Sequence, residues 1–134
     1  MHEVHPTPGV GAAVVEDGRL LLIRRGRGAY AGHWAIPGGR QRRGETMQQA
    51  VAREVREETG LIVEVGDVVW AVDIIDGETP PTYHYTVVDF VASLIGGTLE
   101  AGDDAAEARW VPIAEIRDLR LTPTMHELLE RLGL

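Results

Sequence analysis

A chain of 134 residues fits one domain and can bury about two-thirds of the surface its unfolded form exposes, enough for a core without covalent staples. The absence of cysteine excludes disulfides, cysteine zinc fingers and thiol nucleophiles. A formal net charge of −8 argues against a basic platform for a nucleic-acid polymer, although a cation can bridge an acidic site to phosphate.

Residues 1–8 read as a flexible terminus of the single domain 1–134. Met1 to Pro6 lacks a basic stretch followed by an apolar one, so no secretory signal is expected. His2 and His5 read as part of a frayed, solvated end rather than a metal site. Val10 to Glu16 is an apolar strand, Asp17-Gly18 a two-residue hairpin turn, and Leu20 to Arg24 the returning strand. A basic, glycine-rich loop spans Arg24 to Gly32. Trp34 to Ile36 ends a short strand, and Ile36 to Glu45 is a second glycine loop.

Thr46 with Gln49 makes a capping box, and Gly60 suits the left-handed residue that ends a helix, which places a helix at about 46–59. Leu61 to Val65 and Asp67 to Ile75 read as extended, Asp76 to Pro81 as a loop, and Thr82 to Leu94 as the longest strand. Gly96-Gly97 turns the chain, and Glu100 to Ala108 is an acidic loop. Arg109 to Val111 is a short strand, and Pro112 opens a helical turn. The last helix starts at Thr122 with Pro123 in its first position, its apolar side supplied by Leu128, Leu129 and Leu132. Helices alternating with strands suggest a mixed sheet with helices on both faces. No apolar run approaches the ~20 residues of a membrane span, so a soluble cytoplasmic protein without a membrane partner is expected.

Glu54, Glu57 and Glu58 carry the strongest chemical signal. Spacings of three and four put them on one side of the helix, together with Met47, Ala50 and Val51 at about 100° per residue. The stripe that should face the core thus turns acidic in its last turn, at the negative end of the helix dipole. Two unit charges about 6 Å apart repel by about 3 kcal/mol at an effective dielectric of about 20. A divalent cation would turn that repulsion into coordination, and hard Mg²⁺ or Mn²⁺ takes oxygen ligands. The competing reading is a solvated face with an Arg53 to Glu57 pair.

Gly39, five residues, Glu45, seven residues, then Arg53-Glu54-Val55-Arg56-Glu57-Glu58-Thr59-Gly60-Leu61 resembles the Nudix box, with every fixed position filled. Gly11 to Arg25, Trp34 to Gly38 and Arg109 to Pro112 extend the likeness over most of the chain. The resemblance implies an α/β/α sandwich, the Nudix fold, with the catalytic helix packed on a curved mixed sheet. It also implies hydrolysis of the pyrophosphate bond in a nucleoside diphosphate linked to another group, with Mg²⁺ or Mn²⁺ as cofactor.

Carried over position by position, Glu54, Glu57 and Glu58 would ligate metal, joined by the Gly38 carbonyl, and Arg53 would orient the glutamates. Glu45 falls on the opposite side of the helix count, where it either buttresses the loop or reaches metal through water. For the general base the acidic loop offers Asp103, Asp104 and Glu107. Asp104 comes first because related sequences often carry glutamate six residues before the tryptophan, here Trp110; Glu107 comes second, and Glu54 or Glu57 is the alternative.

Arg24, Arg25 and Arg27 border the expected cleft and suit phosphate or a terminal ribose. Gly39 allows close backbone approach, and Trp34 or Tyr30 could stack on a base, with packing in the core or a loop an equal reading for Trp34. His84 and Asp89 fall on opposite faces of their strand, so that one of them would look into the cleft, although a hydrogen-bonded structural role is slightly favoured for both. The Tyr83 to Phe90 segment resembles that of family members acting on ADP-ribose, which makes ADP-ribose, giving AMP and ribose 5-phosphate, the favoured substrate. A nucleotide-pool-sanitising triphosphate pyrophosphohydrolase is the runner-up, diadenosine polyphosphates and nucleotide sugars follow, and a non-catalytic nucleotide sensor is the alternative of another class. By analogy with the family the partner is a small nucleotide, and the assembly a homodimer.

Overall fold

The computed structural model describes residues 5–102 and 104–134, so the expectations for His2 and Asp103 lie outside the described residues. Strand β1 (Thr7–Glu16) is the hub of a mixed sheet with β2 (Arg19–Arg25), β3 (Trp34–Ala35), β4 (Gly38–Arg40), β5 (Leu61–Ile75), β6 (His84–Gly97) and β7 (Ala105–Pro112). The main path runs β3-β2-β1-β6-β5, with β4 added to β1 and β7 to β2. Only the β1–β6 pairing among these is parallel, with Gly11 opposite Asp89. Among the described residues no helix is long and apolar enough to cross a membrane.

Helix α1 (Met47–Thr59) is built as its caps dictate. The Thr46 hydroxyl accepts from the Gln49 amide at 3.1 Å, and the Gln49 side chain accepts from the Thr46 amide at 2.9 Å. Gly60 closes it at φ 75°, donating its amide to Arg56. Ala50, Val51 and Val55 pack on Val10, Ala12, Val14 and Phe90. The other face of the sheet carries Ala13, Leu22, Trp34 and Trp70 beneath a 3-10 helix (Ile113–Asp118) and α2 (Met125–Arg131), through Ile116, Met125, Leu128 and Leu129. Alternation along β1 explains the split, since neighbouring side chains enter opposite cores.

Several boundaries differ from the sequence reading. Thr7 and Pro8 belong to β1, paired with Tyr85 and Thr86, rather than to a flexible end. Part of the second glycine loop is strand β4, because Gly38 and Gly39 can lie against β1 at Gly11 and Val10. Gly66 and Asp67 are absorbed as an irregularity within one continuous β5, and Gly97 stays in β6 opposite Leu61. β7 begins at Ala105, inside the expected acidic loop, where it covers the otherwise open side of the apolar β2. α2 starts at Met125 after Thr124, so Pro123 precedes the helix. Met47, assigned to the core stripe, is 38% exposed; the inward stripe runs instead through Val51, Val55 and Glu58.

A Cβ at Gly60 would sit 2.3 Å from the Thr98 carbonyl oxygen, on a backbone that already disfavours L side chains. Gly60→Ala should lower the unfolding free energy by at least about 1–2 kcal/mol. A wild-type urea midpoint in that variant would contradict this account of the helix end.

Candidate active site

The last turns of α1 lean on β4. Glu58 is 6% exposed, and its Oε1 accepts from the Gly38 amide at 2.8 Å. Gly39 faces Glu54 so closely that a Cβ there would lie 2.5 Å from the Glu54 carboxyl carbon. Arg53 ties the group together. Its Nη1 donates to Glu54 at 2.7 Å and to Glu57 at 3.1 Å, and its Nη2 donates to the Arg40 carbonyl at 2.8 Å. Glu45 grips the same guanidinium through both oxygens, at 2.7 and 3.1 Å, and also accepts from the Arg42 amide. Of the two alternatives for Glu45, buttressing is the one seen.

The electrostatics follow from burial. Burial pushes the Glu58 carboxyl up to about 8, against the pull of the Gly38 amide. Burial also raises Glu54, opposed by Arg53. Glu45 is held down to about 2 by its hydrogen bonds from Arg53 and Arg42. The Glu45–Arg53 pair therefore stays charged, while the buried Glu58, which among the described residues accepts from the Gly38 amide alone, resists ionisation.

One open cleft is lined by Gly38, Gly39, Glu54, Glu57 and Glu58 together with Arg25, Tyr30, Asp89 and Asp104. Arg40 and Arg42, which the sequence reading passed over, line it too, and Arg42 stands 3.6 Å from Glu57. Their only sequence signal was a basic cluster in the glycine loop beside an acidic helix. Asp104 pairs with Arg27 at 2.5 Å, and its carbonyl accepts from the Gly26 amide. Arg25 is braced by the Ala29 carbonyl. Asp89 is the residue of its strand pair that faces the cleft, whereas His84 stands beside Asp73.

Arg24, Trp34 and Glu107, expected at the site, are not among the residues that line it. The antiparallel register of β7 on β2 puts Glu107 opposite Arg24, and the carboxylate is shared between Arg24 and Arg109. Trp34 is buried in the core, with the Arg109 guanidinium 4.6 Å from its ring centre.

Residues 5–132 match the family model described as NUDIX domain. The chain belongs to the Nudix family. It is 37% identical over 116 residues to an ADP-ribose pyrophosphatase of Methanocaldococcus jannaschii, covering 87% of this chain and 68% of that protein. It is 34% identical over 124 residues to the CTP pyrophosphohydrolase of Escherichia coli, covering 90% and 87%. The crystal structure of a MutT NUDIX hydrolase from Burkholderia pseudomallei aligns with a TM-score of 0.83 at 32% identity, covering 96% of this chain and 98% of that one. The fold is the Nudix fold, and the protein is a Nudix pyrophosphohydrolase.

Nudix hydrolases generally use divalent metal ions. The donor set fits such an ion: three carboxylates on one helix edge, the deepest with a single amide partner, and a glycine floor that a Cβ would fill. Among the described residues, however, no three acidic or imidazole side chains already converge as a cage. Arg53 stands between Glu54 and Glu57, so a cation would have to complete its shell with backbone or substrate oxygens.

Between about pH 5 and about pH 8 the folded chain holds a proton on Glu58 that the unfolded chain releases, because the carboxyl is raised from 4.5 to about 8. This group therefore makes metal-free protein less stable as pH rises through that window. Glu58→Gln should flatten that part of the slope in urea titrations run in chelator. A slope indifferent to the substitution would contradict the raised carboxyl.

Proposed function

We propose that the enzyme hydrolyses the pyrophosphate bond of a nucleoside diphosphate joined to a second group, with ADP-ribose favoured and AMP and ribose 5-phosphate as products. The observation that carries this reading is the acid edge of α1 opening, with arginines, into one cleft. The 37% identity to an archaeal ADP-ribose pyrophosphatase favours the substrate. A triphosphate pyrophosphohydrolase is the second reading, favoured by the 34% identity to the CTP enzyme.

In this reading Glu54, Glu57 and Glu58, with the Gly38 carbonyl, hold Mg²⁺ or Mn²⁺. When bound, the ion neutralises charge on phosphate oxygens and lowers the pKa of the attacking water. Arg53 keeps Glu54 and Glu57 aimed, and Glu45 keeps Arg53 in place. Gly39 leaves room for the Glu54 carboxyl at the edge of the cleft where the diphosphate would lie, and Arg25 meets the diphosphate oxygens from the end of β2. Asp104 takes the proton from water once its pairing with Arg27 opens. Glu107, Arg24 and Trp34 have no part in it, since two are paired on the far side of β2 and the third is core.

Phosphorus NMR of products from ADP-ribose, CTP, diadenosine polyphosphates and nucleotide sugars, with Mg²⁺ or Mn²⁺, identifies the bond broken. ADP-ribose should be the best substrate; inertness toward it would remove the first reading. Glu58→Gln should lose about 100-fold or more in kcat. Asp104→Asn should lose about 100-fold and Glu107→Gln little. The reverse order would reassign the base.

A further inference from the structure

Four residues stand in register across four strands: Trp70 on β5, Asp89 on β6, Gly11 on β1 and Gly38 on β4. Gly38 hands its amide to Glu58, so one end of this row is the acid edge of the active site. Beside Trp70, at the other end, stands the carboxylate of Asp89, which the hydrolytic machinery does not use. Asp89 is 6% exposed and lines the cleft. The Trp70 Nε1–H donates to its Oδ2 at 2.7 Å. Its Oδ1 accepts no hydrogen bond among the described residues and lies over Gly11, where a Cβ would come within 2.3 Å of it, too close to be tolerated. Ile36, Val72, Val87 and Leu128 wall the same cleft.

A buried carboxylate with one oxygen tied down and the other facing a cleft needs a donor to offset its desolvation. Apolar side chains beside an acceptor that Trp70 leaves free suit a planar heterocycle carrying a donor. Strand spacing of about 4.8 Å puts Asp89 roughly 10 Å from Gly38 across β1, a distance a nucleoside can span from base to phosphate.

We propose that Asp89 is a specificity residue that reads the substrate's nucleobase, its Oδ1 accepting a hydrogen bond from an exocyclic amino group while Trp70 holds Oδ2. The proposal deepens the nucleotide-hydrolase reading and rests on it, but not on ADP-ribose in particular. Trp70 is the positioning residue. It fixes which oxygen faces the cleft, and it makes the consequence of an amide substitution definite. In Asp89→Asn the indole N–H still requires an acceptor, so the amide oxygen turns to Trp70 and the NH₂ group faces the cleft. An acceptor becomes a donor at one atom.

The test compares kcat/KM on substrate pairs that differ by amino against oxo on the base, ADP-ribose with inosine diphosphoribose and CTP with UTP. On whichever scaffold is cleaved, wild type should favour the amino base by about tenfold or more. Asp89→Asn should abolish or reverse that ratio with Glu58-dependent hydrolysis retained. Wild-type ratios within about twofold of unity on the cleaved scaffold would overturn the proposal, and so would a folded Asp89→Asn that keeps the wild-type ratio. The wild-type arm decides the matter even if the variant does not fold. Cleavage of CTP but not ADP-ribose would sink the first substrate reading, while the amino-to-oxo ratio would still judge Asp89.

Discussion

The Arg53 guanidinium is the constraint on which the site depends. It joins three carboxylates from two segments, Glu45 before the helix and Glu54 and Glu57 within it, and caps the Arg40 carbonyl at the end of β4. A planar fork with five donors can do this, and a lysine ammonium cannot. Without it, two mutually repelling glutamates would lie beside a third that burial already keeps from ionising. The clasp makes the acidic edge of α1 compatible with a folded chain, and it leaves each carboxylate oxygen in a known place.

A second constraint is steric. The row Gly11–Gly38, with Gly39 beside it, lets two strand backbones and two carboxylates occupy space that side chains would otherwise fill. At Gly38 a Cβ would meet the Val10 carbonyl oxygen, and at Gly39 the Glu54 carboxyl. These glycines are needed for close approach rather than for an unusual φ. The price is a floor with few packing contacts, and α1 on one face and α2 on the other compensate with their two cores.

Much of this was legible in the chain. The capping box at Thr46 and Gln49, the stop at Gly60 and the hairpin at Asp17-Gly18 act through neighbours in sequence, and each is found as expected. The Nudix box, with its acids three and four residues apart on one helix, marked the acidic edge of α1 and the family for the same reason. The acidic loop was misjudged because Ala105 to Ala108 is strand only when β2 stands beside it. Glu107, Arg24 and Trp34 drew attention as residue types suited to catalysis, and their partners come from elements distant in sequence.

The sequence by itself determined the helix, its acids and the glycine loop that feeds it, because those depend on periodicity, caps and missing Cβ atoms within one short stretch. Which of the other polar residues share the cleft was decided only in three dimensions. The parallel pairing of β6 with β1 brings Asp89 over Gly11, and the fold of α1 against β4 buries Glu58 while leaving Glu57 accessible. Strand order and register are set by long-range packing of two cores, and no local pattern in a strand states which neighbour it will have.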